Sequence, residues 1–237
     1  MPPVIIDDSH DKTPLTSSDI KKTSECVQVF KKIFSDLHPD NLEISFSVLE
    51  YTDEVFGCLV IEIIGDSPQY EAIGNINFKK IDHVSDWIEK GIQITSAYIH
   101  ADYRGLGIAV KSYEILTNHY LVLSDKIQTH DGAAFWKFKM GSNAHMTIFL
   151  ALWNGITSPE IILDDNSIPV TYNTTKTDLE PLIWGLESSF DKLHSAINAS
   201  IKSKRENIVL VAIHIIDANK VINDKPYFGN RVDSFLK

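Results

Sequence analysis

The sequence predicts a mixed α/β domain, an α+β fold with a mixed sheet and helices on the sheet faces, from three observations. A strand, an amphipathic helix and a second strand follow one another over residues 92–124. Apolar runs of strand length lie both before and after this centre. The chain has 237 residues, 43% of them hydrophobic, which suffices for one large domain or a domain with an appendage.

We expect three parts along the chain. Residues 1–18 are rich in Pro, Asp and Ser and indicate a flexible lead. Residues 19–155 form the predicted domain. Residues 156–237 are a C-terminal extension that packs on the same sheet or completes it.

The first half predicts one helix followed by three strands. From residue 18, Ile20, Val27, Phe30 and Ile33 recur at helical spacing, which predicts a helix that ends before His38. Strands are predicted by alternating or continuous apolar runs at 41–50, 55–64 and 70–78. The next stretch, 81–90, is predicted as a short helix or an irregular connection.

The centre of the chain alternates strands and helices. Mixed β-branched and aromatic residues predict a strand over 92–99 that ends near His100. Apolar residues three or four positions apart then predict a helix over 106–119. The following elements are predicted as a strand at 120–124, a helix at 131–140 and a strand at 145–153.

The C-terminal extension predicts a hairpin, a helix and a strand. Two apolar runs flank the turn-rich residues 164–167, which predicts the hairpin. A capping box at 177–180 precedes a long apolar stripe through Ile201, which predicts the helix. The strongly apolar stretch 207–216 predicts a strand that joins the sheet and is central or buried on both faces.

Charge and cysteine content narrow the classes of partner. A formal net charge of −10 disfavours nucleic acid and anionic membranes as partners, and weakly favours a cationic substrate. Neither a signal peptide nor an apolar run of membrane-spanning length is visible, so we expect a cytoplasmic protein without a membrane partner. Cys26, on the predicted first helix, and Cys58, in a strand, are expected to be buried small hydrophobes. The scattered histidines and paired aspartates show no ligand spacing, and no metal site is predicted.

The residues between the central strand and helix, Arg104-Gly-Leu-Gly-Ile-Ala109, are suited to an anion. Two glycines let a bulky group approach the backbone, and the first helical amides lack partners and face it. A purely steric role for the glycines remains an alternative. The turn lacks the Lys-Ser/Thr pair of a P-loop, and Val110 stands where a dinucleotide fingerprint has its third small residue.

This turn resembles the acetyl-CoA-binding segment of the GNAT superfamily of N-acyltransferases, whose signature is Q/R-x-x-G-x-G/A. Arg104, Gly105, Gly107 and Ala109 match the signature, and the predicted strands and helices around them are similar to the family's order. The run from Ser124 to Trp136 also resembles, more weakly, GNAT-like proteins encoded by phages. The resemblance covers about residues 40–155 and implies a GNAT-like fold with an added C-terminal hairpin, helix and strand.

The resemblance implies acetyl-CoA as the cofactor and direct attack by a primary amine on its thioester. The implied cofactor-binding residues are Tyr98, Ile99, Arg104, Gly105, Leu106, Gly107, Ile108 and Ala109. Backbone amides of the strand at 92–99 would polarise the thioester carbonyl and hold the pantetheine arm.

Candidates for the base lie at two strand ends. Asp125 and Ser124 are the first candidates and His100 the second, although capping or loop roles are alternatives for Asp125 and His100. Many family members carry a tyrosine acid where this chain has Trp136, whose indole can donate a hydrogen bond but cannot transfer a proton. Tyr103 and Tyr120 are the remaining candidates for the acid.

Two functional hypotheses follow from the resemblance. The first is an acetyl-CoA-dependent N-acetyltransferase acting on an amine-bearing small molecule or a protein, in the host cytoplasm if the chain is phage-encoded. The second, motivated by Trp136, is a GNAT-fold binding protein that holds CoA or a macromolecular partner without efficient catalysis. A nucleotide-binding protein using the same turn is disfavoured, and a homodimer remains open.

Overall fold

The computed structural model describes most of the chain through residue 175 and one further strand. The described residues are 16–23, 25–52, 54–65, 70–85, 88–124, 132, 134–153, 159–164, 166, 168–175, 183, 208–215 and 218. In this part of the chain, no helix is both long and apolar enough to cross a membrane.

The chain divides into two compact units. The described residues of 10–81 and 92–115 form the N-terminal unit, and those of 82–91 and 116–237 form the C-terminal unit. Antiparallel sheet dominates both units and helices are few, so the structure is a mixed α+β fold. The predicted α+β class is confirmed at this level. Every strand pair whose register is described is antiparallel.

Five consecutive strands hydrogen-bond in chain order from β1 to β5. Their bounds are β1 Cys26–Phe34, β2 Glu43–Tyr51, β3 Phe56–Ile64, β4 Tyr70–Ser85 and β5 Ile88–Ile99. The strands predicted at 41–50, 55–64, 70–78 and 92–99 are therefore confirmed. The β4–β5 pair is antiparallel, because Ile73 accepts a bond from the amide of His100 while Asn77 contacts Ser96.

The helix predicted from residue 18 towards His38 is wrong over most of its length. A helix, α1, covers only Ser17–Thr23, and strand β1 begins at Cys26, so Cys26 lies on a strand. A bulge between Gln28 and Phe30 adds one residue to the β1 ladder. This extra residue puts Val27 and Phe30 on the same face three positions apart, which imitates helical spacing.

The expectation of a helix or irregular connection at 81–90 is also wrong. Strand β4 continues to Ser85 and β5 begins at Ile88, so both strands are longer than predicted. Sequence periodicity does not predict the end of β4 or the start of β5, because charged residues interrupt the apolar pattern in both.

The two faces of the N-terminal sheet differ in what covers them. On one face, Ile20 of α1 packs against Leu49, Cys58 and Val60. At the first residue of α1, the backbone amide and hydroxyl of Ser17 donate to the fully buried Glu62 carboxylate at 2.8 to 3.0 Å. The opposite face carries apolar side chains that are fully buried, among them Phe46, which meets Phe34 edge to face at 5.6 Å.

The C-terminal unit is built around the last described strand. Strand β10, Ile208–His214, pairs with β6, Leu121–Leu123, on one side and with β7, Met146–Leu152, on the other. Six of its seven residues are buried. The predictions of strands at 120–124, 145–153 and 207–216 are confirmed, including the central and buried position of the last.

The predicted hairpin around 164–167 has an unexpected form. Strands β8, Glu160–Ile161, and β9, Thr171–Tyr172, both pair with β7, one after the other along its edge. Between them the chain loops out and closes at a bridge between Leu163 and Pro169. Asp164 Oδ1 accepts the amides of Asn166 and Ile168, as the turn-rich sequence indicated.

Two other predictions concern helices of the C-terminal unit. Residues 135–140 form a π-helix, Phe135–Met140, inside the helix predicted over 131–140. The long helix predicted after the capping box lies outside the described residues except for Ile183, which is helical and buried. Most of the predicted flexible lead also lies outside them.

Tyr51 and Cys58 pack together in the N-terminal unit, with 4.0 Å between Oη and Sγ. Burial and the Cys58 thiol raise the pKa of Tyr51 to about 12, and burial raises the pKa of Cys58 to about 11. Both folded-state pKa values exceed the ordinary 10.0 and 9.0. Their stabilising contribution is therefore complete below pH 9 and is lost as the pH rises towards 12.

We expect the free energy of unfolding, measured by urea titration between pH 8 and 12, to fall from about pH 9. A Cys58→Ala variant should begin to fall near pH 10 instead, because only the Tyr51 contribution remains. A profile that stays level through pH 12 would contradict this prediction.

Candidate functional site

The candidate site begins where β5 ends against β4. An ideal Cβ on Gly74 of β4 would lie 2.7 Å from the Tyr98 carbonyl oxygen and 2.8 Å from Ile99 Cδ1. A bulge beside Gly74 leaves Ile73 outside the regular β3–β4 register, and its carbonyl accepts the His100 amide at 2.8 Å. The bare glycine and the bulge together fix where β5 stops.

A single 3-10 turn, Ala101–Tyr103, follows β5 and leads into Arg104. The Arg104 amide donates to the Ala101 carbonyl at 3.2 Å, and its side-chain Nε donates to the Ile99 carbonyl at 2.9 Å. Arg104 is exposed, and this bond leaves its terminal guanidinium nitrogens as further donors. The strand end therefore holds the arginine at the entrance of the glycine turn.

The backbone conformation at positions 105 and 107 requires glycine. Gly105 has φ +85° and Gly107 has φ +79°, a region that residues with a side chain rarely adopt. Among the described residues, no heavy atom lies within 4 Å of an ideal Cβ at either position. The space beside the turn is therefore open to a ligand, and close packing against the described protein does not explain the glycines.

Helix α2, Ile108–Thr117, begins directly after the second glycine. The Gly107 carbonyl accepts the first helical bond, from the Lys111 amide at 2.9 Å, so Gly107 is the N-cap. The amides of Ile108, Ala109 and Val110 have no acceptor within the helix and lie at its positive end. The first turn carries no acidic residue, and Lys111 adds a positive charge that Glu114 partly balances at 2.6 Å.

Strand β5 is open in its middle. Residues 91, 92 and 94 are buried, whereas Thr95, Ser96 and Ala97 are all exposed. Because successive side chains of a strand point to opposite faces, exposure of three in a row indicates that both faces are accessible there. Tyr98 and Ile99 are half-buried.

His100 lies beside the glycine turn, as the sequence placed it. Its Nδ1 is 3.5 Å from Asp102 Oδ2 and 3.4 Å from the Asp102 amide. The Asp102 amide donates to Nδ1, so the neutral ring carries its proton on Nε2, and a base at His100 would use the Nδ1 lone pair once this bond is released. The Tyr103 ring is 6.0 Å from the His100 ring, and burial, with Glu71 and Asp102, raises the pKa of Tyr103.

Of the two first candidates for the base, the structure describes Ser124 and not Asp125. Ser124 is in the C-terminal unit and fully buried. Its hydroxyl oxygen accepts the Leu210 amide at 3.1 Å, and its amide donates to the Leu210 carbonyl at 2.8 Å. These bonds give Ser124 a place in the sheet next to β10, and its catalytic role stays a prediction. Asp125 lies outside the described residues.

Trp136 lies in the C-terminal unit on the π-helix and is 2% exposed. The Gly141 amide donates to the Trp136 carbonyl at 3.0 Å, the five-residue spacing of a π-helix. Tyr120, one of the two candidate acids, is also buried, at 5% exposure. Of the two tyrosines, Tyr103 alone is partly exposed and on the same unit as the glycine turn.

Sequence reasoning missed Gly74 and the bulge at Ile73. Gly74 was visible only as an isolated glycine within a predicted strand, which is the usual signal of a bulge or a close backbone approach. The strand partner of that glycine cannot be read from sequence, so its link to the Tyr98 carbonyl was hidden.

We expect Gly74→Ala to lower the free energy of unfolding by about 1–3 kcal/mol, because the new methyl group would overlap the Tyr98 carbonyl and Ile99. Urea denaturation monitored by circular dichroism measures this change. Ala72→Gly, on the same strand, is the matched control for the loss of a methyl group. A Gly74→Ala protein as stable as the wild type would show that β4 and β5 are further apart.

Comparisons with known proteins do not assign the chain to a family. A scan against models of protein families finds no match, and searches of curated proteins and of solved structures find none either. The assignment of a function therefore rests on the geometry of the turn and of β5.

Proposed function

We propose that the chain is an N-acyltransferase of the GNAT fold that transfers an acetyl group from acetyl-CoA to a primary amine. The observation that carries the proposal is the turn from Arg104 to Ala109. Its two glycines have positive φ and open space beside them, and helix α2 begins at Ile108. This arrangement supports a pyrophosphate site between an exposed arginine and the positive end of a helix.

The residues of the turn have separate roles in this proposal. Arg104 would pair with phosphate oxygens while its Nε bond to Ile99 keeps the side chain in place. The amides from Leu106 to Ala109 would donate to the same group. Glycine at 105 and 107 would let the phosphates approach the backbone more closely than a side chain allows.

The open middle of β5 would hold the reactive half of the cofactor. The exposed residues Thr95–Ala97, followed by the half-buried Tyr98 and Ile99, would contact the pantetheine arm, and those of their backbone groups that are not bonded to β4 would bond to the arm and to the thioester carbonyl. An amine in its neutral form would attack that carbonyl directly, without a covalent enzyme intermediate. His100, with Asp102 at 3.5 Å, is the base on this unit, and Tyr103 is the proton donor.

A second candidate function is a GNAT-fold binding protein that holds CoA or a macromolecular partner without efficient catalysis. Buried Trp136 in place of the expected tyrosine favours it, as does the engagement of the Ser124 hydroxyl with the Leu210 amide. In this case the turn would still bind the cofactor, and thiol release would be absent.

Calorimetric titration with acetyl-CoA, CoA and ATP tests the proposal. We expect dissociation constants on the order of micromolar for both CoA species, weaker binding by Arg104→Ala, and no binding of ATP. Thiol release from acetyl-CoA across a panel of amines then separates the two candidates. Release identifies a transferase, and binding without release across the panel identifies the binding protein. No binding of acetyl-CoA would refute both the cofactor and the site.

A further inference from the structure

A pocket of about 370 Å³ opens where β2 turns into β3, away from the glycine turn. Its size is within the range of sites for small molecules. The pocket is lined by Tyr51, Glu54, Phe56, Gly57, Asn77 and Phe78. All six residues are on the N-terminal unit.

Strand register places the side chains of the pocket on one face of the sheet. Cys58 pairs with Asn77 of β4, and Tyr51 reaches the same face because its hydroxyl lies 4.0 Å from the Cys58 sulfur. Phe56, two residues before Cys58 on β3, shares that face and is 43% exposed. Two aromatic rings and an amide thus line one side of the pocket.

Gly57 lets the ring of Phe78 pack directly beneath the pocket, on the opposite face of the sheet. A Cβ at this position would overlap the ring of Phe78 and would lie 2.7 Å from the Leu49 carbonyl. Phe78 is fully buried, so its ring supports the floor from the opposite face of the sheet.

The pocket contains hydrogen-bond acceptors and one carboxylate. Glu54 is an exposed carboxylate. The Tyr51 hydroxyl, whose ordinary pKa of 10.0 is raised further by burial, is neutral at pH 7. The Asn77 side-chain nitrogen donates to Ser96 Oγ at 2.8 Å, which leaves the Asn77 amide oxygen as an acceptor. Two cations are close to the pocket: Lys80 is 3.6 Å from Glu50 Oε2 and 3.5 Å from the Tyr51 carbonyl, and Lys79 pairs with Phe56 across the β3–β4 ladder.

We propose that this pocket binds a small organic ammonium ion and is the acceptor site of the transferase, an inference that rests on the proposed function. Ammonium groups are attracted to aromatic faces and carboxylates, and the pocket combines Tyr51 and Phe56 with Glu54. Its location fits as well, because Asn77 contacts Ser96 in the open part of β5. Ser96 lies three residues, or about 10 Å, before Ile99.

The transfer of the acetyl group replaces a carbon–sulfur bond with a carbon–nitrogen bond. The bound ammonium loses one proton to His100, and its nitrogen lone pair attacks the acetyl carbonyl carbon of acetyl-CoA. The carbon–nitrogen bond forms as the carbon–sulfur bond breaks, Tyr103 donates a proton to the departing sulfur, and the second proton of the nitrogen returns to Tyr103 through solvent. The products are an acetamide and the free thiol of CoA.

Titration with phenethylamine and with its neutral analogue 2-phenylethanol tests the pocket without acetyl-CoA. We expect the ammonium to shift the NMR signals of pocket residues and the alcohol to bind more weakly. Glu54→Gln and Phe56→Leu, both at exposed positions, should each weaken ammonium binding by about three- to tenfold. Glu43→Gln, an exposed carboxylate at the other end of β2, is the control and should leave binding unchanged.

The results of these experiments test the ammonium site and the proposed function separately. Equal binding of amine and alcohol, or equal loss in Glu43→Gln, would overturn the ammonium site, as would no binding of either compound. Ammonium binding by a protein that fails to bind acetyl-CoA would keep the site and refute the transferase. With acetyl-CoA saturating, a higher KM for phenethylamine at unchanged kcat in Glu54→Gln would support both.

Discussion

Replacing Gly107 with tryptophan is expected to remove acetyl-CoA binding while the N-terminal unit stays folded. Gly107 has φ +79°, so a side chain there strains the backbone by ~1–2 kcal/mol. A Cβ at Gly107 meets no heavy atom of the described residues within 4 Å, so the side chain can leave the backbone without a clash at its first atom. The indole would occupy the space in front of the first amides of α2. We expect affinity to fall by at least about 100-fold, equivalent to ~2.8 kcal/mol.

A second substitution separates backbone strain from occlusion of the site. Asparagine tolerates positive φ better than other residues with a side chain and is much smaller than tryptophan. Gly107→Asn should therefore keep most of the thermal stability and lose less affinity than Gly107→Trp. Calorimetric titration and thermal unfolding of both variants give the comparison. Wild-type affinity in Gly107→Trp would mean that the phosphates of CoA do not bind at this turn.

Replacing Leu210 with aspartate is expected to unfold the C-terminal unit. Leu210 is 1% exposed on β10 and pairs with Leu150 of β7, while its backbone exchanges two bonds with Ser124. A carboxylate there would be buried among apolar side chains without a basic partner in the described structure. Such a charge costs several kcal/mol, a large part of the ~5–15 kcal/mol that stabilises a domain.

Leu210→Met is the matched control, because it conserves volume and apolarity and should change stability by less than about 1.5 kcal/mol. Circular dichroism and proteolysis of both variants measure the effect. A Leu210→Asp protein with native stability would show that β10 is not part of the core. Residues far beyond the glycine turn are thus expected to be essential to folding.

Elements with an uninterrupted apolar pattern could be predicted from sequence. Residues 207–216 are apolar at nearly every position, which is typical of a strand covered on both faces, and β10 lies between β6 and β7. The turn around Gly105 and Gly107 was also predictable, since few residues other than glycine adopt its backbone angles. Its open surroundings could be seen only in the structure.

Elements whose pattern depends on a partner strand could not be predicted. The bulge in β1 changed a two-residue alternation into an apparent helical spacing from Val27 to Phe30. The Gly74 contact depends on which strand lies opposite, and the pocket beside Tyr51 joins residues from two hairpins. The bulge, the Gly74 contact and the pocket all depend on which residues pair across neighbouring strands. Sequence periodicity carries no information on that pairing.

Strand β1 also bears on how the protein avoids aggregation. In the described part of the chain it pairs with β2 alone, and Val27, Val29 and Ile33 are 41 to 55% exposed. Such an apolar edge invites another chain to add a strand to the sheet. The bulge at Val29 distorts the backbone of this edge, and Lys31 and Lys32 would bring like charges together in a second copy. The irregularity that disguises β1 as a helix in the sequence therefore also protects the folded protein against fibre-like growth.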